Sequence, residues 1–129
     1  MEVELAFFCD AATVDAHGKI SALGIFNCIH CRKFPARHPR LVAVIQVKTH
    51  RSESGRHRLR AELVDPDGRS LVEALQMEFS TERGGGARLL AEINGATFGT
   101  TGEHALDIAI DGHHCKSLPL TIAELPPDS

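Results

Sequence analysis

The chain has no tryptophan and no tyrosine, and six phenylalanines are its whole aromatic complement. Sugar pockets and single-stranded base platforms stack on Trp and Tyr, so those classes lose weight. Basic charge is short too. Fourteen Lys and Arg stand against 17 Asp and Glu, a net charge of −3 with eight neutral histidines. A general nucleic-acid binder carries a basic excess, so no nucleic-acid partner is expected. No apolar run reaches the roughly 18 residues of a helical membrane span, so no membrane partner is expected either. The opening Met1-Glu2-Val3-Glu4-Leu5 carries acids where a secretory leader carries Lys or Arg, which predicts a cytoplasmic location. The four cysteines (Cys9, Cys28, Cys31 and Cys115) are then expected as reduced thiols. Catalytic signatures are missing: there is no Gly-x-Ser-x-Gly elbow, no His-Glu-x-x-His pair and no phosphate loop. No segment carries a 3.6-residue apolar stripe of helical length.

What remains is alternation. Leu106, Ile108 and Ile110 alternate with Asp107 and Ala109; Asp111-Gly112 follows; Leu118, Leu120 and Ile122 alternate on the return. Asp-Gly suits a tight primed turn, so this is an antiparallel hairpin with one face on a core. Residues 2–9 place Val3, Leu5, Phe7 and Cys9 on one face. Residues 41–48 are apolar on both faces and predict a central strand. Residues 56–64 send His57, Leu59, Ala61 and Leu63 inward and Arg56, Arg58 and Arg60 outward. Asp65-Pro66-Asp67-Gly68 is a turn, after which Leu75, Met77 and Phe79 point inward. Leu89, Ala91 and Ile93 mark another strand. Gly24, inside the long run 19–31, predicts a bulge or bend where the strand changes partner. Two prolines within residues 32–40 predict a loop, because Pro lacks the donor a ladder needs. Gly84-Gly85-Gly86 predicts a flexible loop. The chain of 129 residues fits one domain. The fold class is all-β: a single antiparallel β-sandwich of about eight strands over 1–125, with a frayed tail at 126–129.

Four segments together carry a resemblance. They are residues 9–26 (CDAATVDAHGKISALGIF), 34–41 (FPARHPRL), 62–69 (ELVDPDGR) and 117–120 (SLPL). The chain resembles a family of small uncharacterised bacterial proteins, a domain of unknown function, over nearly its whole length. The resemblance implies a stand-alone cytoplasmic sandwich with an immunoglobulin-like look. It implies no activity, cofactor or catalytic residue.

Four kinds of chemistry are then weighed. Cys28-x-x-Cys31, with His30 nearby, could join His114 and Cys115 from His113-His114-Cys115 as a tetrahedral zinc set. Against it, residues three apart on a strand point to opposite faces. Arg32, Lys33, Arg37, His38 and Arg40 could form an anion or partner contact, or simply a solvated loop. Asp15, His17, Asp65, Asp67, His104 and Asp111 fall in predicted turns, and Cys31 with His114 could formally make a nucleophile and base. Turn aspartates more often bond their own backbone. Finally, an open sandwich has edge strands to which a partner can add. The Arg56, Arg58 and Arg60 row would give one strand a basic face, unless Glu73 or Glu78 neutralises it. The expectation is a non-enzymatic interaction module without a cofactor, binding a protein partner or itself as a homo-oligomer. The alternative is a zinc-binding domain.

Overall fold

The computed structural model describes residues 1–82 and 85–126. Nine strands run in chain order: β1 (Glu2–Val14), β2 (Ile20–Phe26), β3 (Cys28–Cys31), β4 (Ala36–Lys48), β5 (Gly55–Val64), β6 (Leu75–Thr81), β7 (Gly86–Phe98), β8 (Gly102–Ile110) and β9 (His113–Glu124). A 3-10 turn at Arg51–Glu53 links β4 to β5. One sheet has the order β2-β1-β4-β7 and the other β3-β9-β8-β5-β6. Leu41, Ala43, Ile45 and Val47 of the first sheet share one buried cluster with Leu59, Leu63, Leu106, Ile108 and Leu120 of the second. Alternation thus does what it predicts: one face of each sheet closes on the other, and apolar burial drives it.

The sandwich is not wholly antiparallel. β3 pairs β9 in parallel, from Cys28 opposite Thr121 to Cys31 opposite Glu124. The run 19–31 is therefore two strands in two sheets, broken at Asn27, whose carbonyl accepts the Thr121 N–H at 2.9 Å. This adds the strand that the expected eight lacked.

Residues 36–40 are strand rather than loop. Ala36, Arg37, His38 and Arg40 pair β7, and Pro39 falls opposite Gly95. The ladder from β1 to β4 ends at Cys9 opposite Val42, so Pro39 has a strand neighbour on one side only. Edge-like positions tolerate proline, and this one does. The register of β1 also shifts between Val3 and Leu5. That bulge puts Phe8 in the main core and turns Leu5, Phe7 and Cys9 to the other face, so the expected single apolar face is split.

β4 is two-faced. Its Val42 and Val44, with Cys9, form a second buried cluster on the outside of the first sheet. Ala12, Ile20 and Ala22 of the β1–β2 hairpin pack over it, together with Leu90 of β7. The hairpin therefore folds back across its own sheet, and Gly18 at its tip reaches the Arg88 guanidinium on β7. The bend sits at Gly24, which has φ +67° and lies so close to Asp10 that a Cβ would stand 2.2 Å from a carboxylate oxygen. At the other hairpin, Asp111 (φ 52°) and Gly112 (φ 83°) both take the left-handed conformation of the primed turn. Of the expected loop at 84–86, Gly84 lies outside the described residues, as do residues 127–129 of the expected tail.

Gly24→Ala is expected to destabilise the fold by about 2 kcal/mol, from left-handed strain plus displacement of Asp10. Leu63→Ala, in the main core, is expected to cost about 2–5 kcal/mol. Urea denaturation measures both; a Gly24→Ala midpoint equal to wild type would contradict the bend.

Candidate functional site: an open side of the sandwich

Sheet pairing leaves one side of the molecule incomplete. β2 flanks β1 only from Phe8 onward, so Glu2–Phe7 have no strand on that side. β3 flanks β9 only from Thr121 onward, so His113–Leu120 have none either. Each sheet thus offers a half-length free edge, with main-chain donors and acceptors turned outward. Thr121 donates to Asn27, so by alternation Ser117 N–H points to the same open side, and Pro119 has no N–H to offer there.

Between these edges lies a groove of about 380 Å³ lined by Phe7, Phe8, Ile25, Phe26, Leu118 and Pro119. Ile25, at 63% exposure, lines it; Leu5, at 45%, lies on the unpaired half of β1 next to Ala6 and Phe7; and Leu23, at 73%, lies on the folded-back hairpin. Among the described residues, the exposed large hydrophobic side chains are these three and Val14, all on β1 and β2. On the register, Ile25 stands opposite Cys9 and Leu23 opposite Ala11.

One end of this side is held by a chain of charges that sequence reading missed. The Met1 ammonium donates to a Glu53 carboxylate oxygen at 2.8 Å, and His50 N–H donates to the other oxygen at 2.9 Å. These bonds hold the Glu53 carboxyl below its usual range, the ammonium contributing most. The Glu53 carbonyl accepts from the Thr81 hydroxyl at 3.2 Å and from His57 Nε2. His57 Nδ1 meets Asp111 Oδ2 at 2.6 Å, and Asp111 Oδ1 accepts the Arg58 N–H at 2.9 Å. The His57 side chain is only 11% exposed. Both its ring nitrogens face acceptors, so the ring must donate twice, which only imidazolium can do. The Asp111 hydrogen bond accordingly raises the His57 pKa, against the opposing effect of burial. The same bond, followed by the Arg58 N–H, lowers that of Asp111. With both nitrogens committed, His57 keeps no lone pair for general-base chemistry. The partners lie 54 and four residues away, one of them a backbone carbonyl, so no local motif marks this cluster.

The zinc set does not assemble. Cys28 is level with Thr121 on β9, and Cys115 lies six residues up that strand, roughly 20 Å at strand rise. Cys28 Sγ lies 3.8 Å from His30 Nε2, while Cys31 packs on the main core. Burial, then the neighbouring Cys28, raises the Cys31 thiol pKa. Cys115 Sγ points to the His113 carbonyl, and His114 Nε2 lies 3.4 Å from the Ser117 hydroxyl. The strand alternation set against this reading is what separates the cysteines. Among the described residues, no group of three or more His, Cys, Asp or Glu side chains could hold a metal ion.

The basic segment spreads out. Arg32 and Lys33 lie in the loop before β4. The Arg37 guanidinium lies against Gly95, the His38 ring tilts over Phe26 at 6.3 Å, and Arg40 pairs with Glu92 at 2.9 Å. The row on β5 is partly offset, three guanidiniums against two carboxylates. Glu78 takes Arg58 at 3.0 Å and Arg56 at 3.6 Å, and Arg60 takes Glu62 at 2.6 Å. A shallow groove of about 600 Å³ runs along this row over Ala109. The turn aspartates do local work, as Asp15 and Asp65 each accept two N–H groups of their own turns. His104 is not in a turn. It is buried in β8 at 1% exposure, with Nδ1 3.1 Å from the Gly102 carbonyl and its ring against Phe98.

A family model of unknown function, DUF6941, matches residues 4–123. The chain belongs to the DUF6941 family. That match spans both sheets and both free edges, from β1 into β9. No curated protein matches the chain. Among the described residues, no helix is long and apolar enough to cross a membrane.

The His57 cluster gives a pH signature. A raised His57 pKa contributes stability fully below its unfolded value of about 6.5, and that contribution fades as pH climbs through the raised value. The lowered Asp111 pKa acts in the other direction and fades only as pH falls below about 4. Asp111 is nearly half exposed, so solvent screening reduces the pair to on the order of 1 kcal/mol. Wild type is therefore expected to exceed His57→Gln in stability by this margin near pH 6 and by less near pH 9. A difference that stays flat with pH in denaturation curves would contradict a charged His57.

Proposed function

We propose that this DUF6941 protein is a non-catalytic interaction module that receives a protein partner along its open side. The observation that carries the reading is the coincidence of exposed Leu5 and of Ile25 in the groove with two unpaired strand halves. Unsatisfied main-chain groups next to apolar side chains are what β-augmentation uses: the backbone supplies affinity and the side chains supply selectivity. Isolated exposed apolar residues are ordinary, but a strip confined to two adjacent strands is a recognition surface. The Arg row on β5 lies away from both free edges, and Glu78 and Glu62 offset two of its three charges. The reading takes from the family resemblance a bacterial cytosolic setting and an immunoglobulin-like look.

Photocrosslinking in cells tests it. A crosslinking residue at Leu5 or Ile25 is expected to give a defined covalent adduct, whereas one at Ser80, on the far edge strand β6, is not. Equal labelling from all three positions, or none from Leu5 and Ile25, would remove the reading.

A further inference from the structure

We propose that the partner on the open side is a second copy of this chain, docked so that β1 of each copy extends β9 of the other. The inference rests on the interaction-module reading and names its occupant.

Three observations carry it. The first is level. Met1, Glu53, His57 and Asp111 are bonded in series, so the start of β1 and the start of β9 lie at one end of the sandwich. The shared groove then sets Phe7 and Phe8 beside Leu118 and Pro119, five to seven residues further along each strand. The two free edges, Glu2–Phe7 and His113–Leu120, therefore run in the same direction at the same height, one in each sheet. A twofold axis parallel to the strands brings the first sheet of one copy against the second sheet of the other. It joins both pairs of edges at once. Such an interface is isologous and closes at two copies, which avoids the fibre that a single sticky edge invites.

The second is charge. The β1 edge carries Glu2 and Glu4, and the β9 edge carries His113, His114 and Lys116. Glu4 accepts from Gln46, whose side chain also accepts from Arg88, which places Glu4 on the outer face of its sheet. His114 is opposite Ala109 and shares its outward face, since Ile108 and Ile110 point to the core. The twofold makes these two outer faces continuous and sets Glu4 beside His114, while His113 and Lys116, opposite Ile110 and Ile108, turn to the inner side of β9. The other closed arrangement, β1 on β1 and β9 on β9, sets Glu2 and Glu4 against their own copies. Avoiding that like-charge contact favours the crossed arrangement.

The third is apolar cover. Exposed Leu5 lies on the β1 segment that would gain a neighbour, and the groove of one copy would meet that of the other. The lower half of the β1–β2 hairpin is folded away over β4, so it leaves that approach clear.

The test is sedimentation equilibrium of the untagged chain and of charge-reversed variants across a concentration series. Wild type is expected to form a dimer that weakens as salt rises. E2K/E4K and H114E are each expected to weaken it on the order of tenfold or more. An equimolar mixture of the two variants is expected to recover the dimer, because both crossed edges are then complementary again. Neither a folding defect nor a like-on-like interface would produce all three results. Ser117→Pro, which removes an outward N–H on the open edge, is expected to weaken the dimer while the monomer stays folded by circular dichroism. A dimer indifferent to the charge reversals, or reversals that no mixing rescues, overturns the arrangement. A monomeric wild type overturns the second copy as occupant. If crosslinks from Leu5 then carry a different mass, the interaction module stands with another protein bound; no adduct at all removes both.

Discussion

The fold turns on the two-faced apolar character of β4. Leu41, Ala43, Ile45 and Val47 demand cover from the second sheet, and Val42 and Val44 demand it from the other side. At about 25 cal/mol per Å² of apolar surface, neither face can be left wet cheaply. One sandwich supplies only the first cover. The chain supplies the second by bending its first hairpin over the outside of the sheet, with the tip touching β7. β2 then leaves the flank of β1 after Phe26, where Asn27 hands the chain to the second sheet. The open edge at Glu2–Phe7 is a consequence of that crossing.

Much of this was legible in the sequence. The apolar run 41–48 announced a central strand, and Asp111-Gly112 announced a primed turn whose two left-handed residues are as that dipeptide requires. His57, Leu59, Ala61 and Leu63 all face inward, and Glu78 does pair with Arg56 and Arg58. Gly24 marked a real bend. The misses share a cause: period two gives a residue's face but not its neighbour. It could not reveal that Pro39 sits where β4 has only one flanking strand, nor that Asn27 hands the chain from one sheet to the other. Composition alone brought Cys28, Cys31 and Cys115 together, whereas alternation separates Cys28 from Cys31 and register holds Cys115 about six residues away along β9.

The His57 cluster illustrates a further limit. Its decisive acceptor is a backbone carbonyl, that of Glu53, presented by a single turn of 3-10 helix. A carbonyl has no sequence signature. The same cluster joins the first residue of the chain to the β8–β9 turn, so the alignment of the two free edges rests on hydrogen bonds to charged groups, which are among the stronger polar contacts. The Arg row on the far sheet behaves differently. Glu78 and Glu62 offset two of its three charges within a few ångströms and leave one guanidinium in excess.

The short parallel strand β3 has an implication for synthesis. Among the described residues its only strand partner is β9, about 90 residues later in the chain. During translation the hairpins β1–β2, β5–β6 and β8–β9 can each close from local pairing, which is the fast route. β3 cannot. Ile29 and Cys31, which pack on the core in the finished molecule, must wait without a ladder until residues 121–124 have been made. The final seam of the protein is therefore four residues long and is sewn last. A ribosome stalled before that point would hold out a domain with one sheet still open along its edge.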